Sequence, residues 1–259
     1  MLLAVDCGNT NIVFALYEGN IQRANWRIST NPSRSADEYL VWLTQLMALS
    51  GLGVDELSGM IIANVVPEVH SKLISLAQRG LNLKPQVVGD EDIDLGIKIN
   101  IDQPDQAGAD RLVNAVAARD LYDLPAIILD FGTATTFDLV GGGGSYEGGI
   151  IAPGVNLSVE ALYLAASRLP RLAVKPWKAD MPILGKDTIG AMHSGIFWGY
   201  VSMVEGLIAR LRQGYGKHLP VVATGGLAPL FADHVASISI VDCDLTLKGL
   251  VRIHAQNKR

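Results

Sequence analysis

Two stretches of this 259-residue chain carry the same signal: LLAVDCGNTNIVFALY at residues 2–17 and AIILDFGTATTFDLV at residues 126–140. In the first, an apolar run over residues 2–5 meets Asp6, turns at Gly8 and resumes as an apolar, β-branched run over residues 12–17 before the turn residues Glu18, Gly19 and Asn20. In the second, residues 126–129 meet Asp130, then Gly132, then a strand-like run over residues 135–140 that closes in four glycines at 141–144. Both read as strand, loop, strand. Aligning Asp6 with Asp130 also aligns Gly8 with Gly132 and sets Asn9-Thr10 opposite Thr133-Ala134, which marks an internal duplication.

Working outward, residues 35–49 carry helical spacing at Tyr39, Leu40, Leu43 and Leu46, residues 59–66 read as a buried strand, and residues 70–78 as a helix. Beyond the second copy, helices are expected near residues 157–167 and 188–213, a strand at 221–223 and a last helix around 247–255. Strands alternating with helices predict an α/β fold of sheets flanked by helices, and the duplication predicts two similar lobes with a cleft between them. The expected spans are residues 1–118 and 119–259, with no low-complexity linker to mark the boundary.

Composition narrows the function classes. Hydrophobic residues make up 49% and charged residues 18%, a balance that excludes intrinsic disorder. Lys plus Arg number 21 against 26 acids, for a formal charge of −5, which argues against a nucleic-acid binder relying on counterion release. Two cysteines, Cys7 and Cys243, are too few for a disulfide scaffold and lack zinc-site spacing. No basic segment precedes the apolar start, and no uncharged apolar run reaches the roughly 18 residues of a membrane span. The expectation is a cytoplasmic protein with no membrane partner.

The Asp-bearing hairpins are the first candidates for chemistry. A carboxylate at the end of a buried strand suits hydrated magnesium beside a polyphosphate, while Gly8 and the amides and side chains of Asn9, Thr10 and Asn11 can donate to phosphate oxygens. An ordinary hairpin uses the same residue types, and the recurrence of the pattern is what favours phosphate. In the second copy, Thr133, Thr135 and Thr136 offer hydroxyls to phosphate or a cation. Strand parity puts Asp6 and Gly8 on one side and Cys7 on the other, so Cys7 is read as a packing residue.

Three further segments leave alternatives open. Gly108-Ala109-Asp110-Arg111 leads into a helix with Asp110 in its first turn, where it serves either as a helix-start acid or as a base for an alcohol, with Arg111 as an anion clamp. Asp187 is an expected N-cap, leaving the Thr188 hydroxyl for a ligand or the backbone. Thr224-Gly225-Gly226 is either a strand-to-helix turn or a surface for a flat base or ribose. Ala191, Gly195, Gly199, Ser202 and Gly206 form a small-residue stripe, read as a lobe or subunit contact. The five histidines form no metal-binding pair.

Taken in order, DCGNTN at 6–11, GADR at 108–111, DFGTATTFD at 130–138, EGGIIAPG at 147–154, SRLPRL at 167–172, GKDTIGAMHSG at 185–195 and TGG at 224–226 resemble the type III pantothenate kinases over essentially the whole chain. The resemblance implies an actin-like (ribonuclease H-like) duplicated two-lobed fold with mixed sheets flanked by helices, acting as a homodimer. It implies ATP-dependent phosphorylation of pantothenate, the first step towards coenzyme A. By the same carry-over Asp6, Cys7, Gly8, Asn9, Thr10, Asn11, Ile12 and Val13 hold ATP phosphates, with Mg2+ at Asp6 through water. Thr133 also contacts nucleotide, and Asp130 binds a monovalent cation, K+ or NH4+. Ile101, Gly108, Ala109, Asp110, Arg111 and Thr188 contact pantothenate, with Asp110 as general base. Ile101 stands where many members carry an aromatic residue. The competing readings are a regulatory protein on the same scaffold, an actin-like kinase for another small alcohol such as a sugar or short acid, and a phosphohydrolase.

Overall fold

The computed structural model describes residues 1–166 and 168–258. Ser167, where the expected helix over 157–167 ends and the SRLPRL stretch begins, lies outside the described residues, as does Arg259. The chain forms two compact units.

The first unit holds β1 (Leu2–Cys7), β2 (Asn11–Glu18), β3 (Ile21–Ser29), α1 (Ala36–Leu49), β4 (Gly59–Asn64), α2 (Pro67–Ser75), β5 (Pro85–Val87), α3 (Ala109–Leu121) and the C-terminal helix Leu245–Gln256. Its sheet runs β3-β2-β1-β4-β5, antiparallel across the two hairpins and parallel from β1 to β4 to β5. The continuous apolar run of β1 arises because both its faces are buried. Leu3, Val5 and Cys7 join Phe14, Tyr39, Leu43 and Leu73 on one face, while Leu2 and Ala4 join Val113, Val116, Leu250 and Ile253 on the other. Ser35, the expected first residue of the helix over 35–49, is its N-cap: its hydroxyl accepts from Glu38 N at 3.2 Å and its N–H donates to Glu38 Oε2 at 2.7 Å.

The second unit comprises residues 99–101 and the chain from Tyr122 to Asp244. It contains β6 (Ala126–Phe131), β7 (Ala134–Val140), β8 (Tyr146–Pro153), α4 (Val155–Ala165), α5 (Thr188–Tyr215), β9 (Val221–Thr224), α6 (Ala228–Phe231) and β10 (Ile240–Val241). Its sheet runs β10-β9-β6-β7-β8, which repeats the first when β6 is matched to β1. The pairings match as well, with β6–β7 and β7–β8 antiparallel and β6–β9 and β9–β10 parallel. Leu129, Phe131, Phe137, Phe197, Val204 and Phe231 fill the core beneath α5 and α6.

The duplication expected from the sequence is therefore present, with a slip of one residue after the turn glycines. The first hairpin closes at Cys7 opposite Ile12 and the second at Phe131 opposite Thr135, so Asp6 faces Val13 whereas Asp130 faces Thr136. Loop length sets register, and the first loop is one residue longer. Four strands, β3, β5, β8 and β10, had no counterpart in the sequence reading, β5 and β10 being only three and two residues long. In β3 half-buried Gln22, Ala24, Trp26 and Ile28 alternate with exposed residues including Arg23 and Arg27, so an apolar run never develops. β8 is glycine-rich at Gly148 and Gly149 and reads locally as a loop.

The division of the chain also differs from the expected spans. The helix near 247–255, placed with residues 119–259 from the sequence, packs in the first unit against α3. The cause is backbone contact: a Cβ at Gly249 would lie 2.3 Å from the carbonyl oxygen of Val113. Thr246 Oγ1 adds a hydrogen bond to buried Asn114 Oδ1 at 2.8 Å. Gly249→Ala is expected to lower unfolding free energy by at least about 2 kcal/mol, read by urea denaturation, because neither backbone can yield without opening the helix pair. An unchanged midpoint would contradict this packing.

Candidate active site

In the first unit Asp6 is the penultimate residue of β1. Its partners across the sheet are Val13 and Ala63, and Arg27 follows Val13 in the same row. Cross-strand partners share a face, so Asp6 and Arg27 stand two strand spacings apart, about 10 Å, on the side packed by α3. Asp110 lies in the first turn of α3, and its negative charge reaches Asp6. Burial, reinforced by Asp110, pushes the Asp6 carboxyl up to about 7, with Arg27 opposing.

The hairpin tip is held from below. Gly8 N donates to Asn11 O at 3.0 Å, Thr30 Oγ1 donates to Gly8 O at 2.6 Å, and Thr30 N donates to Thr10 O at 3.0 Å. Asn9 and Thr10 are exposed at the tip. Cys7 and Ile12 point into the core, so of the eight residues expected at ATP these two have only backbone to present. The packing role expected for Cys7 holds, and burial, then Asp6, push its thiol up to about 12, far from a nucleophile's range.

Gly108 immediately precedes α3, and Ala109, Asp110 and Arg111 form its first turn. Asp110 Oδ1 accepts from Arg111 N at 2.8 Å, which fixes the carboxylate's orientation, and one guanidinium nitrogen of Arg111 is buried. A side chain at Gly108 would crowd that carboxylate, its Cβ falling 2.7 Å from Asp110 Oδ1.

In the second unit Asp130 has the strand-end position of Asp6 but different neighbours. Its cross-strand partners are Thr136 and Thr224, and a Cβ on Gly225, whose φ is +88°, would meet its Oδ1 at 2.5 Å. The TGG segment is thus a turn that brings bare backbone against Asp130. Thr136 Oγ1 donates to Asp138 Oδ2 at 3.2 Å, and Tyr146 OH donates to Asp138 Oδ1 at 2.9 Å. Thr133 is exposed at the hairpin tip. Thr188 opens α5 with an exposed side chain, behind the expected N-cap Asp187, whose Oδ1 accepts from Gly190 N at 2.7 Å. Ile101 packs in the second unit beside Gly148.

Sequence reasoning missed Arg27, Thr30 and Asp138. The first two lie on or just after β3, and Asp138 sits inside β7 where nothing local marks it. Among the described residues no group of three or more His, Cys, Asp or Glu could hold a metal ion by itself. A pair of carboxylates with oxygen donors only is the set expected for magnesium, which takes one or two protein carboxylates and completes its shell with water and substrate phosphates.

A mixed sheet that occurs twice, each time with an acid next to last in its central strand, defines the actin-like fold class. A putative N-acetylglucosamine kinase from Porphyromonas gingivalis shares the fold, with a TM-score of 0.53 at 14% identity over 99% of each chain. So does a conserved putative Baf family transcriptional activator from Campylobacter jejuni, with a TM-score of 0.63 at 19% identity over 98% of each chain.

The sequence pattern defining type III pantothenate kinases matches residues 2–210. The type III pantothenate kinase of Paramagnetospirillum magneticum is 53% identical over 257 residues, covering 99% of this chain and 98% of that one. The chain belongs to the type III pantothenate kinase family, and its activity is ATP-dependent phosphorylation of pantothenate in coenzyme A biosynthesis. The regulatory reading is not favoured.

The raised Asp6 carboxyl gives a test. In the unfolded chain Asp6 titrates near 3.8, and in the folded protein near 7. Between those values the unfolded state is ionised while the folded state keeps its proton, so stability falls as pH rises from about 4 to 7 and then levels. Asp6→Asn removes the penalty. Thermal or urea unfolding of the ligand-free protein is expected to show little difference at pH 4 and a gain of roughly 2–4 kcal/mol for the variant at pH 8. A gain independent of pH would contradict the assignment.

Proposed function

We propose that the two hairpins hold ATP, that Asp110 is the general base for the pantothenate alcohol, and that the product is 4'-phosphopantothenate. The observation carrying this reading is the charge of Asp110 felt at Asp6. It supports placing the acid of the GADR segment at the phosphate hairpin, where an attacking alcohol must lie.

Asp6 would hold Mg2+ through water, and the ion would offset charge on the β- and γ-phosphates. Gly8 to Val13 line the phosphates, with donors from the exposed tip residues Asn9 and Thr10, since the Gly8 amide is taken by Asn11 O and Ile12 and Val13 lie within the sheet. Thr133 donates to the nucleotide from the second hairpin. Asp110, steadied by the Arg111 amide, accepts the alcohol proton as the phosphoryl group transfers. Arg111 pairs with the pantothenate carboxylate, and Ile101, Gly108, Ala109 and Thr188 complete the acceptor contacts. The remaining catalytic demand is alignment of alcohol and γ-phosphate.

A monovalent cation, K+ or NH4+, at Asp130 belongs to the same proposal. Its support is the oxygen-rich setting, with Thr136 and Thr224 as cross-strand partners and the Gly225 backbone close by. So does a homodimer. Gly195 and Gly199 of the α5 stripe have open space where a Cβ would be, and Leu157 and Leu164 of α4 are exposed, which supports a second chain as the stripe's partner. Cytoplasmic residence is supported by two free cysteines.

Two measurements check the proposal. Asp110→Asn is expected to lower kcat with pantothenate by a factor on the order of 10²–10⁴ while nucleotide affinity by calorimetry changes little; near-normal turnover would remove Asp110 from the base role. Sedimentation equilibrium is expected to give twice the chain mass, shifting towards the monomer in Gly199→Trp. A wild-type monomer at micromolar concentration would count against the dimer.

A further inference from the structure

Residues 99–101 belong to the second unit although Lys98 and Asp102, on either side, belong to the first. This short strap lies along β8, the edge strand of the second sheet. Ile99 forms a parallel bridge with Tyr146, and Asn100 N donates to Tyr146 O at 2.8 Å. Tyr146 is a firm anchor, buried in the unit with its hydroxyl on Asp138.

A backbone bridge of this length fixes little by itself, because the loops on both sides leave the strap free to fray. Side chains supply the remaining hold. Asn100 Nδ2 donates to Glu147 Oε1 at 2.9 Å, and the same oxygen accepts from Ser145 Oγ. Next along β8, Gly148 has a φ of +103°, and a Cβ there would touch Ile101 Cγ2 at 3.4 Å. The strap is therefore pinned at Ile99 by backbone, at Asn100 by a carboxylate, and at Ile101 by contact with a glycine that leaves the isoleucine its space.

We infer that Glu147, through Asn100, is a positioning residue that sets pantothenate affinity by holding Ile101 on β8. This rests on the reading that Ile101 touches pantothenate. Neither Glu147 nor Asn100 needs to touch substrate. Loss of the clamp lets Ile101 sample conformations unable to bind, which lowers apparent affinity by the fraction of competent strap. ATP, held elsewhere, is unaffected. The need for an acceptor oxygen at residue 147, rather than a charge, follows from the neutral amide and hydroxyl that donate to it.

The test is steady-state kinetics of Glu147→Ala, Asn100→Ala, their double variant, Glu147→Gln and Ile101→Ala, varying pantothenate and ATP separately. Each alanine variant of the clamp is expected to raise the KM for pantothenate about threefold to tenfold and to leave the KM for ATP within about twofold. The double variant should add nothing to the larger single effect, since both remove one bond. Glu147→Gln, which keeps the acceptor oxygen, should stay within about twofold of wild type. Asn100 is exposed, so its variant carries the test if Glu147→Ala folds poorly. An unchanged pantothenate KM in Asn100→Ala beside a raised one in Ile101→Ala would overturn the clamp alone. Equal shifts in both KM values would reduce it to a scaffold contact. If Ile101→Ala also leaves the pantothenate KM unchanged, the reading of Ile101 fails and the clamp with it.

Discussion

The first unit holds two carboxylates, Asp6 and Asp110, on one face of a sheet whose packing leaves Asp6 little water. Burial, reinforced by the like charge of Asp110, raises the free energy of the ionised state, and the raised Asp6 titration is that cost expressed as a proton affinity. Arg27, about two strand spacings away, opposes it only in part. The arrangement persists because cores on both sides of β1 fix the strand end, while α3 is fixed by its backbone contact with the C-terminal helix. Strain of this kind is relieved by a cation beside phosphate, which is the ligand a kinase brings.

Duplication supplied the scaffold twice, and the surroundings of the two acids then diverged. Asp6 sits between Val13 and Ala63, so its environment is apolar and its interactions are long-range charges. Asp130 sits between Thr136 and Thr224, with the Gly225 backbone against it and Asp138 receiving the Thr136 hydroxyl. The one-residue difference in hairpin length accounts for the hairpin-side partner, Val13 opposite one acid and Thr136 opposite the other. The parallel neighbour supplies Ala63 in one unit and Thr224 in the other. The proposed Mg2+ at Asp6 thus rests on carboxylate charge, and the proposed monovalent ion at Asp130 on neighbouring oxygen donors.

Legibility in the sequence followed burial. β1, β2, β6 and β7 could be read because their apolar runs are buried, and α1 because Tyr39, Leu40, Leu43 and Leu46 keep helical spacing. β3 escaped because one face is exposed and carries arginines, and with it went Arg27 and Thr30, whose roles depend on strand register. The hairpins and the GADR helix start were legible because their residue types are local signals. The Asn100–Glu147 bond joins positions 47 apart in sequence, and the contact of Gly249 with Val113 joins more distant ones still. Nothing local distinguishes those residues from ordinary loop and helix residues.

The central proposal is that each hairpin tip contacts the nucleotide. Hydrogen–deuterium exchange of the intact protein, with and without magnesium and a non-hydrolysable ATP analogue at saturation, tests it most directly. The account predicts slowed exchange in peptides spanning residues 6–13 and 130–136. Saturating nucleotide that left both segments at their ligand-free rates would contradict it.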